Sequence, residues 1–263
     1  MNIIQGKLNF LSLFKRNLIY RFKSKINIDH HSEVKVNDES LESLCSYYNS
    51  DKATYHYYNN ANEKEKSHGY TKFYEKHLNS IKNNKINILE IGSYKGSSAA
   101  AFAKYFPNAQ IFCLDINLRN FKYSSKRIHT FGLDVSNQIM TNKFLKKIDF
   151  FNKIKSFDVI IDDGSHALKD ILIALNFFYK YVRKEGFYII EDYKFPNYFD
   201  HLNDVNDIKI DEMINKININ ELFVSKLIEN NNINLLLNKK KNIFSYKGNT
   251  SVSDIVFFQK NVN

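Results

Sequence analysis

The chain has 263 residues, 43% of them hydrophobic, which is enough for one medium-sized core and excludes intrinsic disorder as its resting state. Its 38 lysines and arginines outnumber its 28 acids, giving a formal net charge of +10, but the lysine and asparagine are spread throughout, as in the run Asn230 to Lys241, and describe a solvated surface before a phosphate-binding face. Cys45 and Cys113 form neither a disulfide framework nor a metal-ligand spacing, which excludes a disulfide-stapled scaffold and points to a reducing cytoplasm.

Residues 1–26 interleave Leu11, Leu13, Phe14, Leu18, Ile19 and Phe22 with Lys7, Lys15, Arg16, Arg21, Lys23 and Lys25. No run reaches the roughly 18 apolar residues of a membrane span, and no small-residue cleavage site follows an apolar core. The pattern fits a basic amphipathic helix. Packing on its own domain or on a partner subunit, as in a homo-oligomer, is the first reading, and peripheral contact with a membrane surface is the second. Residues 27–80 are polar and rich in tyrosine and histidine, including Tyr47, Tyr48, Tyr55, His68, Tyr70 and Tyr74. Residues 1–80 therefore read as a helical and irregular appendage to a domain spanning 81–263.

From Ile86 the rhythm changes. Ile86–Ile91 is a short β-branched run closed by Gly92 and predicts a buried strand. Ser97–Tyr105 is alanine-rich, opens with serines and predicts a helix ended by Pro107. Further strands are expected at Gln110–Asp115, Arg127–Asp134 and Phe157–Asp162. A helix is then expected over Leu168–Arg183, and Gly186 turns the chain into a fifth strand at Phe187–Ile190. C-terminal helices are expected around Ile208–Ile217 and Glu221–Glu229, with β-rich runs at Ile233–Leu237, Ile243–Tyr246 and Asp254–Gln259. Strands alternating with helices imply an α/β, Rossmann-like doubly wound sheet, mostly parallel, with helices on both faces. Ligands of such folds bind at the carboxyl ends of the strands.

Glycine is scarce, yet Gly92, Gly96, Gly132 and Gly164 all fall at or near that edge. A strand running through Glu90 and Gly92 to Gly96 and into a helix brings backbone close to a ligand. The dinucleotide fingerprint needs a middle glycine that is missing here, so pyrophosphate binding and nicotinamide chemistry are disfavoured. Glu90, Gly92 and Gly96 resemble the first motif of the class I S-adenosylmethionine-dependent methyltransferases. By that resemblance Asp115 meets the ribose hydroxyls and Asp134 lies beside the adenine. A turn-capping aspartate is the equal alternative for Asp134.

Asp162-Asp163-Gly164-Ser165-His166 ends the fourth expected strand and Glu191-Asp192 ends the fifth. Carboxylates crowded at strand ends repel one another, a divalent cation relieves the repulsion, and oxygen ligands favour magnesium. A nearby imidazole can take a proton from a hydroxyl that the metal has acidified. The constellation resembles the metal-dependent sugar O-methyltransferases of the macrocin and mycinamicin type and their relatives in polysaccharide gene clusters. The resemblance implies Asp163, Glu191 and Asp192 as magnesium ligands and His166 as general base. Strand alternation turns Asp162 away from Asp163, toward the cofactor or the backbone. Ser50-Asp51-Lys52 with His68-Gly69-Tyr70 and Tyr74 is similar to that family's cover segment, which places Tyr70 over the cofactor. The gap Ala53–Ser67 between the two pieces is longer here.

The expected function is thus magnesium-dependent O-methyl transfer from S-adenosylmethionine to a sugar hydroxyl of a polysaccharide or glycosylated metabolite. A phenolic or lipid-linked acceptor is the alternative. A non-catalytic, basic nucleic-acid-binding protein is the third reading; the strand-end acids, which repel phosphate, weigh against it.

Overall fold

Alternating apolar side chains make each central strand two-faced, and the helices between them cover both faces. The computed structural model describes residues 3–30, 40–57 and 63–261. Strands β1 (Asn87–Ile91), β2 (Gln110–Asp115), β3 (Ile128–Gly132), β4 (Phe157–Asp162) and β5 (Val182–Glu191) run parallel. After β6 (Lys240–Lys247) the chain returns as β7 (Asp254–Lys260), antiparallel to both β5 and β6 and seated between them. The seven-stranded order is β6-β7-β5-β4-β1-β2-β3. Chain order reverses between β1 and β4, where a parallel doubly wound sheet opens its binding crevice.

The helices are α1 (Ile3–Phe22), α2 (Leu41–Tyr47), α3 (Thr71–Leu78), α4 (Ser97–Tyr105), α5 (Gln138–Asn152), α6 (Leu168–Phe178), α7 (Phe195–Tyr198), α8 (Ile210–Asn218) and α9 (Asn230–Lys239). Ile88, Ile111, Val159, Ile161 and Ile189 share one core with α2, α3 and α4. The intervening Leu89, Phe112, Ile160, Tyr188 and Ile190 share the other with α5, α6, α8 and α9. The two-residue strand period delivers this division. Leu41, Leu44, Tyr70 and Tyr74 lie in the same core as α4, so the tyrosine-rich appendage is built onto the sheet. The expected N-terminal helix is present as α1; Met1, part of the expected segment, lies outside the described residues, as do 58–62 of the gap Ala53–Ser67.

Several expectations need correction. Ile233–Leu237 is not a strand but the body of α9: Ile233 and Leu236, one helical turn apart, are buried, and Asn232 Nδ2 donates to Asn176 Oδ1 at 2.6 Å. Glu221–Glu229 is not a helix. There the Ser225 hydroxyl oxygen accepts the N–H groups of Leu227 and Ile228 (3.1 and 3.0 Å) and Asp207 accepts that of Lys226, so side chains take donors a helix would have used. The helix expected to reach Arg183 stops at Phe178, because Val182 already pairs with Phe157 in the sheet. Gly186 lies inside β5 instead of before it: the register jumps from Val182–Phe157 to Phe187–Val159, and a Cβ on Gly186 would meet the Asp158 carbonyl at 2.5 Å. Between β3 and β4, where the pattern singles out no element, Asn137 Oδ1 caps α5 by accepting the Met140 N–H at 3.1 Å.

Leu172 on α6 is fully buried, whereas Ile139 on α5 is 69% exposed. Leu172→Ala is expected to lower stability by about 2–5 kcal/mol and Ile139→Ala by no more than about 0.5 kcal/mol, both read from urea denaturation midpoints at constant m-value.

Candidate active site

At the end of β1 the chain must turn at once, because the Asp163 N–H donates to the Ile91 carbonyl at 2.9 Å and fills the space ahead. Gly92 makes the turn with φ +85°, and a Cβ there would stand 1.9 Å from the Asp163 carbonyl oxygen. Only glycine fits both the left-handed backbone and that approach. Gly96, also left-handed, then starts α4. The Asp115 carboxylate accepts the N–H of Tyr94 at 2.7 Å and of Asn117 at 2.6 Å, tying the β1 loop to the end of β2. Each of its oxygens retains a second lone pair for a hydroxyl donor. Glu90 lies fully buried beneath the loop, with the Ser98 and Ser93 hydroxyls as its hydrogen-bonding neighbours. Burial pushes it up to about 6 against the pull of Lys52.

A cavity of about 440 Å³ opens above these turns. Ile91, Leu114, Leu133, Ile171 and Ala174 give it apolar walls, and Gly92, Asp115, Asp134, Asp162, Asp163 and His166 also line it. Its volume is within the usual range for a small-molecule site, and the mixture suits a nucleoside: flat apolar area for a base, carboxylates for ribose hydroxyls. Asp134 Oδ1 accepts the Ser136 N–H at 2.9 Å and its hydroxyl at 2.7 Å, so this residue caps its turn and lines the cavity as well. Asp162 is buried, and burial with the neighbouring Asp163 charge pushes it up to about 8. Its contacts are Tyr188 Oη at 3.4 Å and the Gly164 backbone, while Asp163 turns the other way.

The remaining candidates meet at the cavity rim. Lys52 Nζ, 1% exposed, donates to Asp163 Oδ2 at 2.6 Å and to Glu191 Oε2 at 2.9 Å. Tyr74 Oη donates to Glu191 Oε1, and Tyr70 Oη donates to Asp192 Oδ1 at 2.5 Å. His68 Nδ1 stands 3.4 Å from the same Asp192 oxygen, and His166 Nε2 stands 3.8 Å from Asp163 Oδ1. Ligand atoms of Asp163, His166 and Asp192 all lie within 4.8 Å of one another. The Glu191 carboxylate is instead directed at Lys52 and Tyr74, and Tyr70 reaches Asp192 instead of the cavity wall. His166 and Asp192 both have left-handed backbones, φ +59° and +51°, an unfavourable state for non-glycine residues that concentrates at functional sites.

Burial pushes both Glu191 and Asp192 well above the usual carboxylate range, with the Asp163 charge adding to it. For Lys52 burial works toward neutrality, but Asp163 and Glu191 hold the ammonium well above its ordinary value. One fixed cation thus faces Asp163, Glu191 and, more remotely, Glu90 and Asp51. Asp163 and Asp192 offer carboxylate oxygens that fit an added hard cation and would hold it, with the His166 ring, whose nitrogen lies within 4.8 Å of theirs, standing beside it. Burial lowers His166 below its ordinary value, with Asp163 and Asp51 opposing, which keeps the imidazole neutral near pH 7. Lys52, between Asp163 and Glu191, and Asp51, on the cavity wall, stand at this site although the sequence marks them only as part of a cover segment. In a chain with 38 basic residues no compositional signal separates Lys52 from surface lysines.

Residues 89–193 match the model of a methyltransferase domain. The chain is 32% identical over 132 residues to mycinamicin VI 2''-O-methyltransferase of Micromonospora griseorubida, covering 48% of this chain and 31% of that protein. It is 29% identical over 138 residues to L-olivosyl-oleandolide 3-O-methyltransferase of Streptomyces antibioticus, covering 48% and 32%. The matched stretch is therefore about a third of the length of these curated relatives. The solved structure of MycE methyltransferase from the mycinamycin biosynthetic pathway, in complex with Mg and SAH, aligns over 84% of this chain and 54% of its own with a TM-score of 0.60 and 23% identity. The fold is that of a Rossmann-like methyltransferase.

Removing the buried ammonium leaves Asp163 and Glu191 uncompensated. Lys52→Met is expected to lose about 3–5 kcal/mol of stability near neutral pH, measured by urea denaturation in chelator. Because the variant raises Glu191 further in the folded state, the deficit is smallest below the ordinary glutamate value near 4.5 and grows as pH rises. Gly92→Ala is expected to displace Asp163 and abolish calorimetric binding of S-adenosylhomocysteine, while the conservative Ser93→Ala retains it.

Proposed function

Proceeding from a methyltransferase domain at residues 89–193, we propose that the chain is a magnesium-dependent O-methyltransferase that moves a methyl group from S-adenosylmethionine to a sugar hydroxyl of a glycosylated metabolite or polysaccharide. One observation carries the reading: Asp163, His166 and Asp192 converge at the rim of a cavity whose volume and mixed apolar and carboxylate lining suit a nucleoside. The relatives named for methylating hydroxyls of glycosylated metabolites support the acceptor class. When bound, S-adenosylmethionine would supply an electrophilic methyl and magnesium would acidify the acceptor hydroxyl.

The chain's own groups do the rest. Asp115 and Asp134 orient the nucleoside from one side of the cavity, and the apolar wall of Leu114, Leu133 and Ile171 excludes water from its base. His166, neutral because burial disfavours its charge, receives the hydroxyl proton at Nε2. Tyr70 and Tyr74 fix the rotamers of Asp192 and Glu191, and Lys52 does the same for Asp163, so the acidic rim is held in place before the acceptor arrives.

With labelled S-adenosylmethionine and a panel of deoxysugar glycosides and catechols, label is expected in the glycosides; transfer to catechols alone overturns the acceptor assignment. His166→Ala is expected to reduce turnover by about 10²–10⁴-fold with calorimetric affinity for S-adenosylhomocysteine unchanged. Parental turnover would remove His166 from the role of base. In the parent, turnover should fall as pH drops through a value below the ordinary 6.5 of histidine, since protonated imidazole accepts no proton. Asp192→Asn is expected to erase the rise in Tm on adding magnesium.

A further inference from the structure

One exposed face of the molecule takes no part in the chemistry above. Helix α1 is held on the sheet edge by polar contacts: Asn17 Nδ2 donates to the Gly132 carbonyl at 2.9 Å, Tyr20 Oη meets Thr130 Oγ1 at 2.9 Å, and Arg16 Nη1 donates to the Ile116 carbonyl at 3.3 Å. Leu13 is buried in that seat. Leu11, Phe14, Leu18 and Phe22, spaced three or four residues apart, form a stripe facing the other way, 62%, 59%, 43% and 84% exposed. Ile19 adds to it. A helix whose docked side is partly polar and whose apolar side faces outward is inverted relative to an ordinary surface helix.

We propose that α1 is an interfacial anchor that lays this stripe into the surface of an anionic bilayer. Charge selects the occupant. No aspartate or glutamate occurs before Asp29, whereas Lys15 and Arg21 stand exposed beside the stripe, and Arg119, Lys122 and Lys126 are exposed on the neighbouring segment, against which α1 packs and with which Ile26–Asn27 pairs at Tyr123–Ser124. A second copy would bring like charges together, and five side chains fall far short of the roughly 20–30 residues per side of a stable interface. An anionic surface accepts both the charges and the apolar side chains. No described helix is long and apolar enough to cross a membrane, so α1 lies on the bilayer. Ile116, whose carbonyl holds Arg16, lines the cavity, so the docked side of α1 adjoins the cavity mouth.

The test is co-sedimentation of the full chain with vesicles of phosphatidylcholine alone and of equal parts phosphatidylcholine and phosphatidylglycerol. The chain is expected to bind the anionic vesicles, more weakly as salt rises. The triple variant Phe14→Ser, Leu18→Ser, Phe22→Ser should lose that binding with an unchanged Tm, since all three positions are exposed. The pair Lys15→Gln, Arg21→Gln should weaken it by about 25-fold, roughly fivefold per charge, and tests the idea independently should the triple variant not fold. No binding to anionic vesicles overturns the proposal. So does a loss confined to the charge pair, which assigns the face to a polyanion such as RNA, or a dimer in sedimentation velocity that the triple substitution dissociates.

Discussion

A single buried ammonium organises this molecule's working edge. Lys52 Nζ stands between Asp163, at the end of β4, and Glu191, at the end of β5, and all but 1% of its side chain is withdrawn from solvent. Carboxylates at that depth are unstable without a counter-charge, and an ammonium at that depth is unstable without carboxylates. Each makes the other tenable. Because Lys52, Tyr70 and Tyr74 all come from the first 80 residues while their acceptors come from the sheet, the polar appendage and the α/β domain complete one another. Tyr70 and Tyr74 serve twice, packing their rings in the α4-side core and presenting their hydroxyls to the acids.

The sequence discloses the parts of this arrangement that follow from local pattern. The strand before Gly92, the helix Ser97–Tyr105 with its observed bounds, and Asp162–His166 at a strand end are all readable because β-branched runs, alanine and glycine act over a few residues. What escapes is what tertiary contacts decide. Ile233–Leu237 contains enough apolar residues for a strand, and only the seat of Asn232 on Asn176 with burial of Ile233 and Leu236 makes it helical. Likewise, Glu191 and Asp192 are adjacent letters in the sequence, but their carboxylates part, one toward Lys52 and the other toward Tyr70 and His68. Left-handed backbone at Asp192 contributes to that divergence, and no propensity forecasts it.

Asp134 shows why two readings of one residue need not compete. Its carboxylate caps the turn through Ser136 and simultaneously lines the cavity, so the hydrogen bonds that fix the turn also fix the wall. Asp115 follows the same economy at the end of β2, where the groups that shape the loop around Tyr94 retain capacity for a ligand. Preorganisation in this crevice therefore comes from backbone donors already committed within the fold.

The position of β7 carries a consequence for how the chain acquires its structure. Its residues Ile255–Phe258 are fully buried between β5 and β6, and Ile255 lies in register with Glu191. Because β7 follows β6 in the chain yet seats between β6 and β5, β5 presents an open hydrogen-bonding edge until β7 docks. The acids at the tip of β5 thus gain their flanking strand only when β7 docks, and the interval before that is when chains are most open to pairing with one another.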